Sequence, residues 1–152
     1  AMMAGSATNM AWVRSHLFFQ TIGPDKLNQL RHVRFLKNRD GILSHMEKHA
    51  AVIRPRFQVV EDVLDAELTG KGIASWTRPE GGMFIWLTLP AHLDGAEVLK
   101  RSLETQRVAF VPGRAFYADG SGGNTLRLSF SLADEATIDE GIRRLGAVLR
   151  TN

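Results

Sequence analysis

The sequence predicts an α+β fold: a small mixed or antiparallel sheet with helices on one face, preceded by a helical arm. Three observations predict it. Up to about residue 70 the apolar residues recur three and four apart, the spacing of helices that bury one face. At "TGKG" (69–72) the character changes. Beyond it, short apolar runs bounded by Gly and Pro alternate with two amphipathic segments, the pattern of strands and helices sharing one small core. Residues 1–70 therefore read as the arm and residues 71–152 as the sheet domain. An arm of helices on so small a sheet is odd for a free-standing domain, and predicts that something else packs on the arm.

In order, "GSATNMAWVRSHLFFQTI" (5–22) reads as a helix beginning after Ser6 or Thr8. "GPDKLNQLRHVRFLK" follows, with Pro24 in the first turn and Leu27, Leu30, Val33 and Leu36 in one stripe. "RDG" (39–41) is expected to interrupt. The next helix carries Ile42, Met46, Ala50, Ile53, Phe57, Val60, Leu64 and Leu68 on one face, and Pro55 should kink or divide it. Gly70 or Gly72 can end it in a left-handed cap. "IASWTRP" is a short strand and "EGG" a turn. "MFIWLTL" (83–89) is apolar on both faces apart from Thr88, which suits a central strand covered on both sides. Asp94 with Glu97 resembles a capping box before "AEVLKRSLETQ". "VAFVP" is a strand ended by Pro112–Gly113, and "RAFYADGSGGN" a glycine-rich loop. "TLRLSFS" is the last strand. The closing helix has Ser131 and Asp134 as candidate caps and Ile138, Ile142, Leu145 and Leu149 as its buried stripe.

Composition excludes several classes of function. The chain has 152 residues, 44% hydrophobic and 23% charged, as in ordinary globular proteins. It contains no cysteine, so a disulfide scaffold, a zinc–thiolate site and a cysteine nucleophile are ruled out. No apolar run approaches the roughly 18 residues of a membrane span, and the first residues do not resemble a secretory signal. The expectation is a cytoplasmic protein with no membrane partner. A net charge of +3 reflects basic clusters at 31–40 and 54–56. No nucleic-acid recognition motif accompanies them, so they read as solvated helix surface rather than a nucleic-acid site.

The search for catalytic groups yields little. Among five histidines, His45 and His49 share a helix face at metal-pair spacing, but no third ligand is evident and no metal is expected. No serine lies in a nucleophile elbow. The glycines of the 120–123 loop precede a strand and not a helix, so they do not form a phosphate cradle. The carboxylate pairs Asp134–Glu135 and Asp139–Glu140 read as helix surface. What stands out is Arg127 at the centre of "NTLRLSF". Leu126, Leu128 and Phe130 take one side of that strand; Thr125, Arg127 and Ser129 take the other. Either that second side is wet and Arg127 extends into solvent, or it floors a cleft and Arg127 awaits an anion.

The segments "RPEGGMFIWL", "FVPGRAFY" and "NTLRLSF", in this order and at these intervals, resemble the C-terminal small domain of class I (fold-type I) aminotransferases, which use pyridoxal 5'-phosphate. The stretch "IGPDKLNQLRHVRFLKN…GILSHMEKH" is similar to the interdomain helices of one branch of that family. The resemblance implies that Arg127 grips the α-carboxylate of an amino or 2-oxo acid; two parallel guanidinium donors suit that group. It implies lesser roles for Gly81 and Gly82, letting backbone approach the substrate, and for Phe116 near the cleft mouth. The family's cofactor lysine follows Ser-x-x, and none of Lys26, Lys37, Lys48, Lys71 and Lys100 has that setting. "AMMAGSATNMAW" looks like the stretch just past it. The resemblance thus implies a C-terminal portion, inactive alone, whose parent is a homodimer with a large domain carrying the cofactor. The alternative is a non-catalytic amino-acid-binding module, or an aminotransferase-like effector domain of a regulator.

Overall fold

The computed structural model describes residues 3–21 and 23–151. They divide into two compact units, one ending at Glu47 and the other beginning at Lys48. The first holds α1 (Ala7–Thr21), α2 (Lys26–Leu36) and the start of α3 (Arg39–Leu68). The helix α1 begins after Ser6, whose Oγ accepts the Asn9 N–H at 3.2 Å. Its expected last residue, Ile22, lies outside the described residues. Neither α1 nor α2 buries a residue, and Leu27, Leu30 and Val33 of the α2 stripe are exposed.

Two expectations for this unit are corrected. Pro24 is not in the first turn of α2. Asp25 is the N-cap, its carboxylate accepting the Asn28 N–H at 3.0 Å, and Pro24 stands just outside. Nor does "RDG" interrupt; it forms the first turn of α3. The break lies earlier, at Lys37, whose φ of 60° is left-handed, and Asn38 Oδ1 then accepts the Gly41 N–H at 3.0 Å. Gly41 is required there, since an added Cβ would lie 1.9 Å from the Leu36 carbonyl oxygen.

Pro55 does not divide α3, which is one helix of 30 residues. A proline inside a helix forfeits a hydrogen bond at a cost of about 3 kcal/mol. Packing on both sides of it offsets that loss: Ile53 and Phe57 lie against the core, and Val60, Val63, Leu64 and Leu68 are buried in it. Gly70 and Gly72 follow at φ of 75° and 64°, the left-handed values expected after the helix.

The second unit continues with β1 (Ser75–Trp76), β2 (Phe84–Thr88), α4 (Gly95–Gln106), β3 (Val111–Pro112), a 3₁₀ turn (Gly113–Phe116), β4 (Thr125–Ser129) and α5 (Glu135–Arg150). The strands form one antiparallel sheet in the order β1-β2-β4-β3. Ile85 pairs with Leu128 and Leu87 with Leu126. These four, with Phe130, share one core with Val60, Leu64 and Leu68 of α3, Val98 of α4 and the α5 stripe Ile138, Ile142, Leu145 and Leu149. The helices cover one face of the sheet, as expected. Asp94 caps α4 by accepting the Ala96 N–H at 2.8 Å, one residue earlier than a capping box would use. Asp134 caps α5 through the Thr137 N–H at 2.8 Å.

One strand expectation fails here. The β2 strand is central, but it is covered on one side. Ile85 and Leu87 are fully buried, whereas Phe84 is 40% exposed and Thr88 faces solvent. The reason is that all the helices of this unit that enter the core pack on the opposite face, leaving Phe84 and Trp86 to the neighbours described next.

Candidate functional site

The open face of the sheet places Arg127 at its centre. In the antiparallel register, Arg127 lies opposite Trp86 of β2 on one side and Val111 of β3 on the other. Phe84 faces Ser129 and Thr88 faces Thr125, so Phe84 sits diagonally beside Arg127. The Arg127 Cζ lies 4.0 Å from the Phe84 ring centroid and 4.7 Å from that of Phe116. Both are within cation–π range, and each contact is worth about 0.5–2 kcal/mol depending on desolvation.

Arg127 is half-buried as a residue. Its Nε is secluded without a hydrogen-bond partner; the terminal Nη1 and Nη2 are not among the sequestered polar atoms. Among the described residues, carboxylates pair with Arg78, Arg114, Arg143, Arg144 and Arg150, and none pairs with Arg127. A secluded donor with no partner costs about 1–3 kcal/mol, and that cost stays with the enclosed Nε. With Nε enclosed, the donors left accessible are the two terminal nitrogens, which match the two oxygens of a carboxylate end-on.

The 3₁₀ turn supplies the second ring, and it is fastened at three points. Gly113 is seated so closely that an added Cβ would meet Thr125 Oγ1 at 1.8 Å and Trp86 Cζ2 at 2.9 Å. Arg114 pairs with Asp94, the α4 cap, at 2.8 Å. Phe116 packs edge-on against Trp86 with centroids 5.5 Å apart, and Tyr117 lies 6.3 Å from the same indole. The resulting surface is an aromatic rim around one cation: Phe84, Phe116 and Tyr117 are 40%, 49% and 41% exposed.

Of the residues singled out from sequence, Arg127 and Phe116 are brought together. Gly81 and Gly82 lie in the turn before β2, and a Cβ at either would meet nothing within 4 Å. Gly82 has its own reason to be glycine, a φ of 99°. Sequence reasoning missed Phe84 as a neighbour of Arg127, although its parity with Trp86 on one strand face was readable. It also missed the Asp94–Arg114 pair, which no local pattern announces. The depression lined by His92, Asp94, Lys100 and Arg101 lies along α4 and contains none of the residues of the open face. Among the described residues no group of three His, Asp or Glu could hold a metal ion, and no helix is long and apolar enough to cross a membrane.

Comparison with known proteins gives a consistent picture. The family model described as aspartate amino-transferase matches residues 1–147. A 2-aminoadipate transaminase of Thermus thermophilus is 42% identical over 124 residues, covering 82% of this chain and 30% of that protein. An aromatic-amino-acid aminotransferase of Thermococcus litoralis is 39% identical over 106 residues, 70% of this chain and 25% of that protein. The crystal structure of LysN, the α-aminoadipate aminotransferase of Thermus thermophilus complexed with N-(5'-phosphopyridoxyl)-L-leucine, superposes with a TM-score of 0.81 at 35% identity. That superposition covers 97% of this chain and 37% of that one. The chain thus spans about a third or less of the length of these relatives. By sequence and by fold it belongs to the aspartate aminotransferase family.

Proposed function

We propose that this chain is the substrate-anchoring C-terminal part of an aminotransferase that moves an amino group between an amino acid and a 2-oxo acid. The observation that carries this reading is the state of Arg127: a strand-centre cation, half-buried, with no ion-pair partner among the described residues and its terminal nitrogens accessible. In this role Arg127 binds the α-carboxylate and fixes the amino acid's orientation. Orientation of a reacting bond is worth a large part of a catalytic barrier. The half-apolar surroundings strengthen the charge pair by limiting competing water. The rings of Phe84, Phe116 and Tyr117 form the rim that a bound acid would pass.

The cofactor implied by the family is pyridoxal 5'-phosphate, which supplies the electron sink of transamination. The residues of this site do not fit its attachment. It needs a lysine amine, and the five lysines lie on α2, on α3, just after α2, just after α3 and on α4, with none on β2, β3, β4 or the 3₁₀ turn. Lys71 Nζ is engaged with the Glu67 and Ala66 carbonyls. We therefore assign the cofactor lysine to a large domain outside this chain, and no cofactor step to the residues described. The same reading makes the chain inactive by itself and the whole enzyme a homodimer.

The test is Arg127→Ala in the full-length enzyme. Loss of a desolvated charge pair predicts a fall in kcat/KM of about 30- to 1,000-fold, equivalent to roughly 2–4 kcal/mol. An unchanged kcat/KM removes Arg127 from the site. Sequencing upstream of Ala1 separates the rival class: a Ser-x-x-Lys segment supports the enzyme, and a winged-helix region far upstream supports an effector domain.

A further inference from the structure

We propose that Phe84 and Phe116 act as a pair of positioning residues that hold the Arg127 guanidinium in one orientation before substrate arrives. The inference rests on the reading of Arg127 as the carboxylate anchor and goes beyond it. Three observations carry it. Both rings lie within cation–π range of Cζ, at 4.0 and 4.7 Å. The guanidinium has no carboxylate or hydrogen-bond partner among the described residues to orient it instead. And Phe116 stands on a turn that is itself fastened, by the Gly113 seat, the Arg114–Asp94 pair and the edge-on contact with Trp86.

The physical need is clear. An arginine side chain has several rotatable bonds, and hence rotamer entropy, to lose when it is fixed. In most proteins a carboxylate partner fixes it, but a resident carboxylate would compete with the substrate for the same nitrogens. Aromatic faces attract a guanidinium without using its N–H groups. Two rings can therefore order Arg127 and enclose its Nε while leaving Nη1 and Nη2 free for the ligand. Phe84 reaches it from the neighbouring strand and Phe116 from the turn after β3, so the two contacts come from separate elements.

The experiment uses the full-length holoenzyme, assayed with L-2-aminoadipate or L-tyrosine, whichever it turns over faster. Phe84→Leu and Phe116→Leu should each lower kcat/KM by about 5- to 30-fold, mostly through KM, as expected for one lost cation–π contact. Phe84→Tyr and Phe116→Tyr keep a ring and should stay within about 3-fold of the parent. Inhibition by pentanoate should weaken with the leucine variants, while inhibition by its uncharged isostere pentanamide should not change. Leucine variants with parental kcat/KM overturn the proposal. So does an equal loss for pentanoate and pentanamide, which would mean that the rings serve the ligand's apolar tail or the fold. Arg127→Gln keeps the two failures apart. If it leaves kcat/KM unchanged, the anchor reading falls and this inference with it. If it is impaired while the leucine variants are not, only this inference falls.

Discussion

Gly113→Ala is the sharpest test of how the open face is built. Gly113 is buried at the start of the 3₁₀ turn. An added methyl would lie 1.8 Å from Thr125 Oγ1, 2.8 Å from Thr125 Cβ and 2.9 Å from Trp86 Cζ2. Ordinary contact is about 3.4 Å or more, so the nearest pair must separate by roughly 1.6 Å. Neither neighbour can give easily. Thr125 is 6% exposed, and its hydroxyl donates to the Gly122 carbonyl at 2.7 Å. Rotating it away forfeits that hydrogen bond, about 1 kcal/mol. Shifting the turn instead strains a packed contact, typically about 1–3 kcal/mol. Together the substitution should cost about 2–4 kcal/mol. Urea unfolding followed by tryptophan fluorescence reads this directly, because Trp86 is one of the clashing side chains. With a slope of about 2 kcal/mol per molar, the midpoint should fall by about 1–2 M. Gly81→Ala is the control: nothing lies within 4 Å of its Cβ, and the lost backbone freedom of the unfolded chain makes it neutral or slightly stabilising. A Gly113→Ala midpoint equal to that of the control would refute the account of the seat.

Other expectations follow from the same geometry. Leu64 is 0% exposed in the core, so Leu64→Ala should destabilise by about 2–5 kcal/mol in the same urea experiment. The Asp134 carboxyl is held below its ordinary 3.8, chiefly by the Thr137 hydroxyl and then by the Thr137 N–H. Because its folded value is the lower one, its stabilisation is present above the ordinary value and is lost as pH falls through it and below. Asp134→Asn keeps the cap but cannot titrate, so the midpoint difference between parent and variant should vanish in acid; a difference independent of pH would contradict this. Asp94→Ala removes both the Ala96 cap and the partner of Arg114. Hydrogen exchange should then quicken at the Ala96 amide and across the 3₁₀ turn, and unchanged exchange in the turn would show that the ion pair does not fasten it.

The periodicity of the chain made most elements legible. The α5 stripe, the β4 core positions and the cap at Asp134 all follow from side-chain spacing and from local hydrogen-bonding chemistry, and the structure has them where spacing puts them. The misreadings are of another kind. "RDG" looked like a break because glycine and aspartate punctuate chains, yet Asn38 caps one residue earlier and Gly41 is needed to clear the Leu36 carbonyl. Pro55 was expected to kink or divide α3, and it does not divide it, because long-range packing on both of its sides outweighs one lost hydrogen bond. The apolar content of "MFIWLTL" suggested cover on both faces, where one of them is left without a covering helix and partly open to solvent beside Arg127.

For the site, the strand parity of "NTLRLSF" was enough to set Arg127 apart from the core, because alternation assigns faces without reference to the rest of the molecule. Which side chains meet it there is a different matter. Phe84 precedes Arg127 by 43 positions, and Phe116 reaches it from a turn tied down by Asp94, residues whose proximity depends on strand register and loop closure. Local sequence determines the period and the caps, since those interactions span only a few residues. The tertiary structure decided that, among the described residues, two rings and no carboxylate surround the cation, since those partners come together only when distant segments pack.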